Sequence, residues 1–385
     1  GFEYTEYFTK DAISPTNTVP IVRAQNVKMG HFIENKNEAI TLDLSKQLTR
    51  SALYKDCLLM TFIGAGIGET CIFHANKRNH LAPNVAKIEP FDEHINMEYA
   101  LFFFMSSSGQ LGVTKISKST AQASLSMATI RELVIPVPPI KEQDRIANEI
   151  TKWFSLVDCI EDNKENLQNT IKQTKSKILN LAIHGKLVPQ DPTDEPAAEL
   201  LKRINPKAEI TSDNGHYQKL PEGWCECCFD DIFNIKMGQS PNGSSINHQQ
   251  GVEFHQGKIL FGDKYLKQSD MFTDAPTKLA TPNSLLLCVR APVGVVNITQ
   301  REICIGRGLC SLKPNAAINL DYAYHALTTY QSDFESKSTG STFKAISGSI
   351  IRNEVFALPP LQEQYRIVTK IEDIFAQLDA IEASL

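Results

Sequence analysis

After Pro139 the apolar residues fall at Ile146, Ile150, Trp153, Val157, Ile160, Leu167, Ile171, Ile178 and Leu181, with Lys164 and Thr174 as polar interruptions. Steps of four and three alternate, which is the seam of a heptad repeat rather than the broader stripe of a helix on a globular core. Pro138 and Pro139 suit a helix start, where a missing N–H costs nothing, and Gly185 followed by Pro189 suits its end. A helix is therefore predicted over 140–185, roughly 60 Å long at ~1.5 Å per residue. A second seam passes through Ile367, Ile371, Ile374, Leu378, Ile381 and Leu385. One amphipathic helix cannot bury such a seam alone, so the two are predicted to pair, antiparallel, as a coiled coil.

Both helices open with the same string. Ile135-Pro136-Val137-Pro138-Pro139-Ile140-Lys141-Glu142-Gln143-Asp144-Arg145-Ile146 returns as Phe356-Ala357-Leu358-Pro359-Pro360-Leu361-Gln362-Glu363-Gln364-Tyr365-Arg366-Ile367, at an offset of 221 residues. The register continues into the helices, with Ile150 opposite Ile371, Phe154 opposite Phe375 and Asp158 opposite Asp379. Upstream the match loosens as loops would allow: Cys57–Met60 and the Gly64–Gly68 turn lie opposite Ser284–Leu287 and the turn through Gly294. The chain is thus an internal duplication. It divides into a first globular part (1–139), a helix (140–185), a Pro-rich polar linker with a short helix at Ala197–Ile204 (186–219), a second globular part (220–360) and a second helix (361–385). The second part opens with Leu220-Pro221-Glu222-Gly223-Trp224, whose counterpart in the first copy would fall before residue 1, and the second helix is the shorter. The chain is on this reading expected to be trimmed at both ends.

Each globular part reads as α+β. Short β-rich runs (Leu58–Ile63, Leu285–Val289, Val295–Ile298) stand between Gly, Pro and Asn turns, and a helix-like stretch follows in each, Met97–Met105 and Tyr322–Tyr330. The expected architecture is two mixed α/β domains separated by two long antiparallel helices.

A length of 385 residues supports two domains, and 42% hydrophobic with 22% charged residues is the balance of a globular protein. No apolar run approaches the ~20 residues needed to cross a bilayer. The start, Gly1-Phe2-Glu3-Tyr4, lacks an initiator Met and the basic-then-apolar pattern of a signal peptide, and a cytoplasmic location without membrane contact is expected. Nine cysteines, an odd number set mostly in apolar runs, suit buried thiols better than disulfides. The net charge of −5 does not by itself suggest a nucleic-acid partner. Residues 1–140 hold 13 basic and 13 acidic side chains, and residues 220–361 hold 12 and 13. The terminal stretch 362–385, with 2 against 5, carries most of the deficit, so both globular parts are close to neutral.

Catalytic motifs are not found. Gly64-Ala65-Gly66-Ile67-Gly68 lacks the Lys-Ser/Thr of a phosphate loop and the spacing of a dinucleotide loop, and reads as a turn between strands. Cys225-Glu226-Cys227-Cys228 holds one Cys-x-x-Cys but has no second pair at ligand spacing, so no metal site is expected there. Neither a base-methylation motif nor a nucleophile elbow occurs, and no catalytic residue is assigned. A binding protein is the reading that remains.

Polar residues gathered at turns are the candidate contacts. They are Arg23, Gln25, Asn26, Lys28, Lys118, Ser119, Thr120 and Gln122 in the first half, and Lys236, Gln239, Ser240, Arg290, Arg307, Ser341, Thr342 and Lys344 in the second. Arg can grip guanine through two hydrogen bonds and Asn or Gln can grip adenine, while Ser, Thr and Lys suit phosphates. Any one of them can equally be an ordinary solvated loop residue.

The stretch Ile178-Leu179-Asn180-Leu181-Ala182-Ile183-His184-Gly185-Lys186-Leu187-Val188-Pro189-Gln190-Asp191-Pro192, with Asp194-Glu195-Pro196-Ala197-Ala198-Glu199-Leu200-Leu201, closely resembles the central region of specificity subunits of type I restriction–modification systems. Leu220–Trp224 looks like the start of their second target-recognition domain, and both Pro-Pro-Φ-x-Glu-Gln strings look like such a domain running into its helix. The resemblance covers nearly the whole chain. It implies that each globular part reads one half of a bipartite, asymmetric site in double-stranded DNA and that the helices fix the gap. It implies docking of two methyltransferase subunits bringing S-adenosylmethionine, and of restriction subunits using ATP and Mg, with no cofactor and no catalysis in this chain. A specificity module of another phage-defence or fused methyltransferase system shares these features, and a protein-interaction scaffold without DNA is the reading from another class.

Overall fold

The helix after Pro139 is continuous over Ile140–Ile183, 44 residues. In the computed structural model, residues 12–64, 66–90, 94–117, 124–210, 220–340 and 344–385 are described. The chain forms two compact units, Gly1–Asp162 and Asn163–Leu385, whose division falls inside that helix.

The first unit carries strands β1 (Val19–Val22), β2 (Val27–Lys28), β3 (His31–Phe32), β4 (Ala39–Ile40), β5 (Ala52–Leu53), β6 (Cys57–Thr61), β7 (Thr70–Phe73), β8 (Asn79–Leu81) and β9 (Val85–Ile88). They form sheets in the orders β4-β1-β8-β5 and β7-β6-β9, with β2–β3 as a small ribbon. The second unit carries β10 (Cys225–Cys228), β11 (Phe233–Met237), β12 (Ile246–Asn247), β13 (Val252–His255), β14 (Phe272–Thr273), β15 (Leu279–Ala280), β16 (Ser284–Cys288), β17 (Val296–Thr299), β18 (Ile303–Ile305), β19 (Leu309–Pro314) and β20 (Val355–Leu358). Its sheets run β11-β19-β16-β17 and β12-β14-β13-β18-β15, with β10 paired to β20.

The duplication holds in the central strand pairs. β6 lies antiparallel between β7 and β9 as β16 does between β17 and β19, with Leu58 opposite Ile88 and Leu285 opposite Leu312. A parallel pair, β1 with β8, recurs as β13 with β18. β6 is buried along its whole length because both faces are covered: Leu58 and Met60 face one cluster, Cys57 and Leu59 another. β16 repeats this, with Leu285 and Leu287 on one side and Leu286 and Cys288 on the other. A strand covered on both faces has no polar side to alternate with, which is why both read as unbroken apolar runs.

The repeated Gln of the Pro-Pro string is a buried clamp. In the first unit Gln143 accepts from Asn96 N–H (2.9 Å) and donates to the carbonyls of His94 and Pro138 (2.8 Å each). In the second, Gln364 accepts from Asn319 N–H (2.7 Å) and donates to Ala317 and Pro359 (3.0 Å each). Asn96 and Asn319 are themselves the N-caps of helices Met97–Met105 and Leu320–Thr329. Each clamp therefore ties the start of a long helix to the start of a domain helix.

The remaining motifs meet at one junction in the second unit. Trp224 Nε1 donates to Glu363 (3.0 Å), Gln190 donates to Glu363 (3.2 Å) and to the Gly185 carbonyl (2.8 Å), and Arg366 grips Asp194 through two bonds (2.6 and 3.2 Å). Gly185 takes φ +63°, and a Cβ there would lie 2.3 Å from Pro221. Burial pushes the Glu363 carboxyl up, against its donors Gln190 and Trp224.

The helix pair is antiparallel: Lys164 donates to the Leu385 carbonyl (2.6 Å), and Lys175 pairs with Asp379 and Glu382. The predicted seam is buried over only part of its length. Ile171, Ile178, Ile367 and Ile371 are buried, and Leu181, Ile374 and Leu378 are half-buried. Trp153, Val157, Ile160, Leu167, Ile381 and Leu385 are exposed, and Ile146 and Ile150 are half-buried. Helix Leu361–Ala383 draws level with Lys164 only at its end, so the seam before that point has no facing helix among the described residues. Cys225–Cys228 is a strand, where residues three apart point to opposite faces, so Cys225 and Cys228 cannot converge on one ion.

Candidate nucleic-acid interface

In the second unit, segments from five places meet at one end of the sheets. They follow β11 (Gly238–Ser240), β13 (Gln256–Leu260), β16 (Val289–Ala291), and β18 (Gly306–Gly308), with Lys344–Ile346 beside them. The link is largely backbone: Gly306 N–H donates to His255 (2.7 Å), Val289 N–H to Gly308 (3.0 Å), Gly238 N–H to Leu309 (2.9 Å) and Ile346 N–H to Val289 (3.0 Å). Glycines allow this closeness. A Cβ at Gly238 would lie 2.1 Å from the Gly306 carbonyl oxygen, and one at Gly308 2.2 Å from that of Gln256. Ser240 Oγ accepts from Arg307 N–H and from Gln256 Nε2, 3.4 Å each, and the Thr277 hydroxyl donates to the Gln239 carbonyl.

Beneath this rim, β13 is fixed by charge. Glu253 pairs with Arg301, accepts from Ser269 N–H (2.6 Å) and bonds His255 Nε2 (2.8 Å). Burial pushes the Glu253 carboxyl up, but Arg301, Ser269 and His255 outweigh it and hold it at about 2. Burial pushes the His255 imidazole down against the pull of Glu253.

Above it, Gln239, Gln256, Lys258, Arg290, Arg307 and Lys344 are exposed. Arg290, Arg307, Lys258 and Lys344 have no carboxylate partner among the described residues. Donor-rich side chains on a rigid edge, with cations left uncompensated, suit a polyanion whose edges carry acceptors.

The first unit builds the same rim with other side chains. Ala82 N–H donates to Val22 (2.8 Å), Phe62 N–H to Asn84 (3.0 Å) and Leu125 N–H to Phe62 (2.8 Å), reproducing three of the four bonds above. Ile63 stands where Arg290 stands and Pro83 where Arg307 stands. The single turn Ala24–Asn26 matches Lys258–Leu260.

Of the sequence candidates, Gln239, Ser240, Arg290, Arg307 and Lys344 come together on the second rim, Ser240 as a brace. Lys236 lies three residues short of Gln239 on β11, its amino group 3.5 Å from the Leu279 carbonyl. On the first rim Gln25 is exposed, but three companions are engaged within the fold. Asn26 is buried and its Oδ1 accepts from Arg23 N–H (2.8 Å), so it shapes the turn instead of facing a ligand. Arg23 pairs with Glu38, and Lys28 reaches Glu69 (3.3 Å). Lys118, Ser119, Thr120, Gln122, Ser341 and Thr342 lie outside the described residues.

The profile of the type I restriction modification DNA specificity domain matches this chain twice, over residues 2–173 and 221–385. The chain belongs to that family. It is 30% identical over 300 residues to a putative type I restriction enzyme MjaX specificity subunit of Methanocaldococcus jannaschii, covering 76% of this chain and 63% of the relative. It is 26% identical over 356 residues to the EcoAI specificity subunit of Escherichia coli, covering 74% and 60%. The chain thus spans somewhat under two thirds of the length of these relatives. Among solved structures, the HsdS subunit from Thermoanaerobacter tengcongensis shares the fold at a TM-score of 0.59 and 22% identity, over 96% of this chain and 87% of that one. A chain from work on complex assembly and conformational transition of the type I R-M system does so at 0.63 and 21%, over 97% and 89%.

In the second of these specificity domains the sequence did not point to Gln256, Lys258 and Ile259. Their turn is polar at Gln256 and Lys258 but follows a buried strand, and the string of residues does not show that it lies beside Gly306–Gly308. The signal that could have found it is Gly308, where a Cβ would lie 2.2 Å from the Gln256 carbonyl oxygen, so that only a glycine lets that loop approach the turn.

Proposed function

We propose that this chain is a non-catalytic, cytoplasmic specificity subunit whose two units each read one half of a bipartite DNA site. The observation that carries this reading is the rim itself: one backbone pattern, built twice, with different side chains presented by each copy. A shared frame with divergent edges suits the reading of two different half-sites. Arg290 and Arg307 supply guanine- or phosphate-directed donors in the second unit, and Gln25 an amide suited to adenine in the first. The long helix pair sets the spacing between half-sites and docks two methyltransferase subunits. Those subunits bring S-adenosylmethionine, and restriction subunits bring ATP and Mg. A gel shift on mixed-sequence duplex DNA tests the reading, with and without a cognate methyltransferase subunit. Retention of duplexes sharing two fixed half-sites is expected, and no retention under either condition favours a protein-interaction scaffold.

A further inference from the structure

The second rim ends in an apolar side chain that its own fold leaves in water. Ile259 is 93% exposed, at the centre of the single turn Lys258–Leu260. The turn is anchored: Phe261 N–H donates to Lys258 and Lys267 N–H to Leu260, 2.9 Å each, and Phe261 packs inward. Gly257 before it stands against Gly308. Ile259 is therefore held out by ordered backbone, although burying an aliphatic side chain of this size is ordinarily favourable. The corresponding turn of the first unit carries Gln25 at its centre.

What surrounds Ile259 defines the ligand. Before it in the chain stand Gln256, Gly257 and exposed Lys258, after it half-buried Leu260 and Phe261, and the rim adds exposed Arg290 and Arg307. One aliphatic group on a cationic, amide-bearing edge fits a surface that is anionic, rich in acceptors and apolar at isolated points. The major groove is such a surface, and its isolated apolar point is the 5-methyl group of thymine. We propose that Ile259 reads thymine in the half-site of the second unit through that methyl group. This rests on the DNA-reading function proposed above.

The test uses the full chain with its methyltransferase subunits, and duplexes selected by it from a randomised pool. Each thymine of the selected site is replaced singly by deoxyuridine, which keeps the base pair and removes only the methyl group. At one thymine, in the half-site whose binding also falls in Arg307→Ala, the replacement is expected to weaken binding about fourfold, the factor for one buried methyl group. In Ile259→Ala the same replacement should have no effect, and Ile259→Val should retain most of the discrimination. An unchanged deoxyuridine effect in Ile259→Ala overturns the inference. So does an Ile259→Ala loss of affinity that is equal on both duplexes, which would mark a wedge or general contact, and so does a half-site without a sensitive thymine. Recovery of no duplex at all is a different failure, because it removes the DNA-reading function itself.

Discussion

Replacing Gln364 by Ala removes three hydrogen bonds from a fully buried position and strands their partners. Asn319 N–H and the carbonyls of Ala317 and Pro359 lose a side chain that now meets them at 2.7 to 3.0 Å. At ~1 kcal/mol for each bond the loss is about 3 kcal/mol, and more if the stranded groups stay dry. Urea unfolding followed by the fluorescence of Trp224 suits the measurement, because that indole is 7% exposed and bonded to the neighbouring Glu363. Gln364→Met fills the same space with no polar partner and should cost nearly as much as Gln364→Ala, which separates lost bonds from a lost volume. Gln143→Ala should destabilise the first unit by a similar amount. A cost below about 1 kcal/mol in Gln364→Ala, or near-complete recovery in Gln364→Met, would refute the clamp.

Three further outcomes follow from the geometry. Burial holds the Glu363 carboxyl above its ordinary value, so the native state keeps a proton that the unfolded chain gives up. Stability from this junction is full below the ordinary carboxylate range and falls as pH rises through the raised value; Glu363→Gln should flatten that part of a stability–pH curve. Gly238→Ala drives a Cβ to 2.1 Å from the Gly306 carbonyl oxygen and should cost ~1–3 kcal/mol while impairing only the second half-site, read by urea melts and by footprinting. Arg290→Ala and Arg307→Ala should each weaken binding at the second half-site alone, and a phosphate contact would show as a salt slope shallower by about 0.9; equal loss at both half-sites would contradict reading by separate units.

The frame was far more legible than the rim. The strands Cys57–Thr61 and Ser284–Cys288 stood out because burial on two faces removes polar interruptions, and the long helix stood out because its seam keeps a strict step. The repeated Gln was visible as repetition, but its role was not, since a string of letters does not show which carbonyls lie beside it. Asn26 misled for the opposite reason: a polar residue after a strand resembles a presented side chain, and here it closes its own turn. The partners of Arg23 and Lys28 were not legible either, because Glu38 and Glu69 reach them only through the fold. Ile259 was passed over because exposure is a property of the packed turn rather than of the residue type.

The two rims differ where the frame permits difference. Their central strand pairing, three cross-rim backbone bonds and Gln clamps coincide, so exchanges at Ile63, Pro83 or Gln25, or at Arg290, Arg307 or Ile259, leave those shared bonds untouched. Among the described residues the second rim carries uncompensated cations, whereas the first neutralises Arg23 and Lys28 with Glu38 and Glu69. Long-range attraction to a phosphate backbone should therefore come mainly through the second rim, and the first should depend more on short-range fit. On the proposed function, a new half-site can be acquired by altering loops on an unchanged support, and the two half-sites need not contribute equally to affinity. This also accounts for the near-neutral composition of both globular parts: the charge that matters is set by which side chains at the rim lack a partner, and a sum over the sequence does not report that.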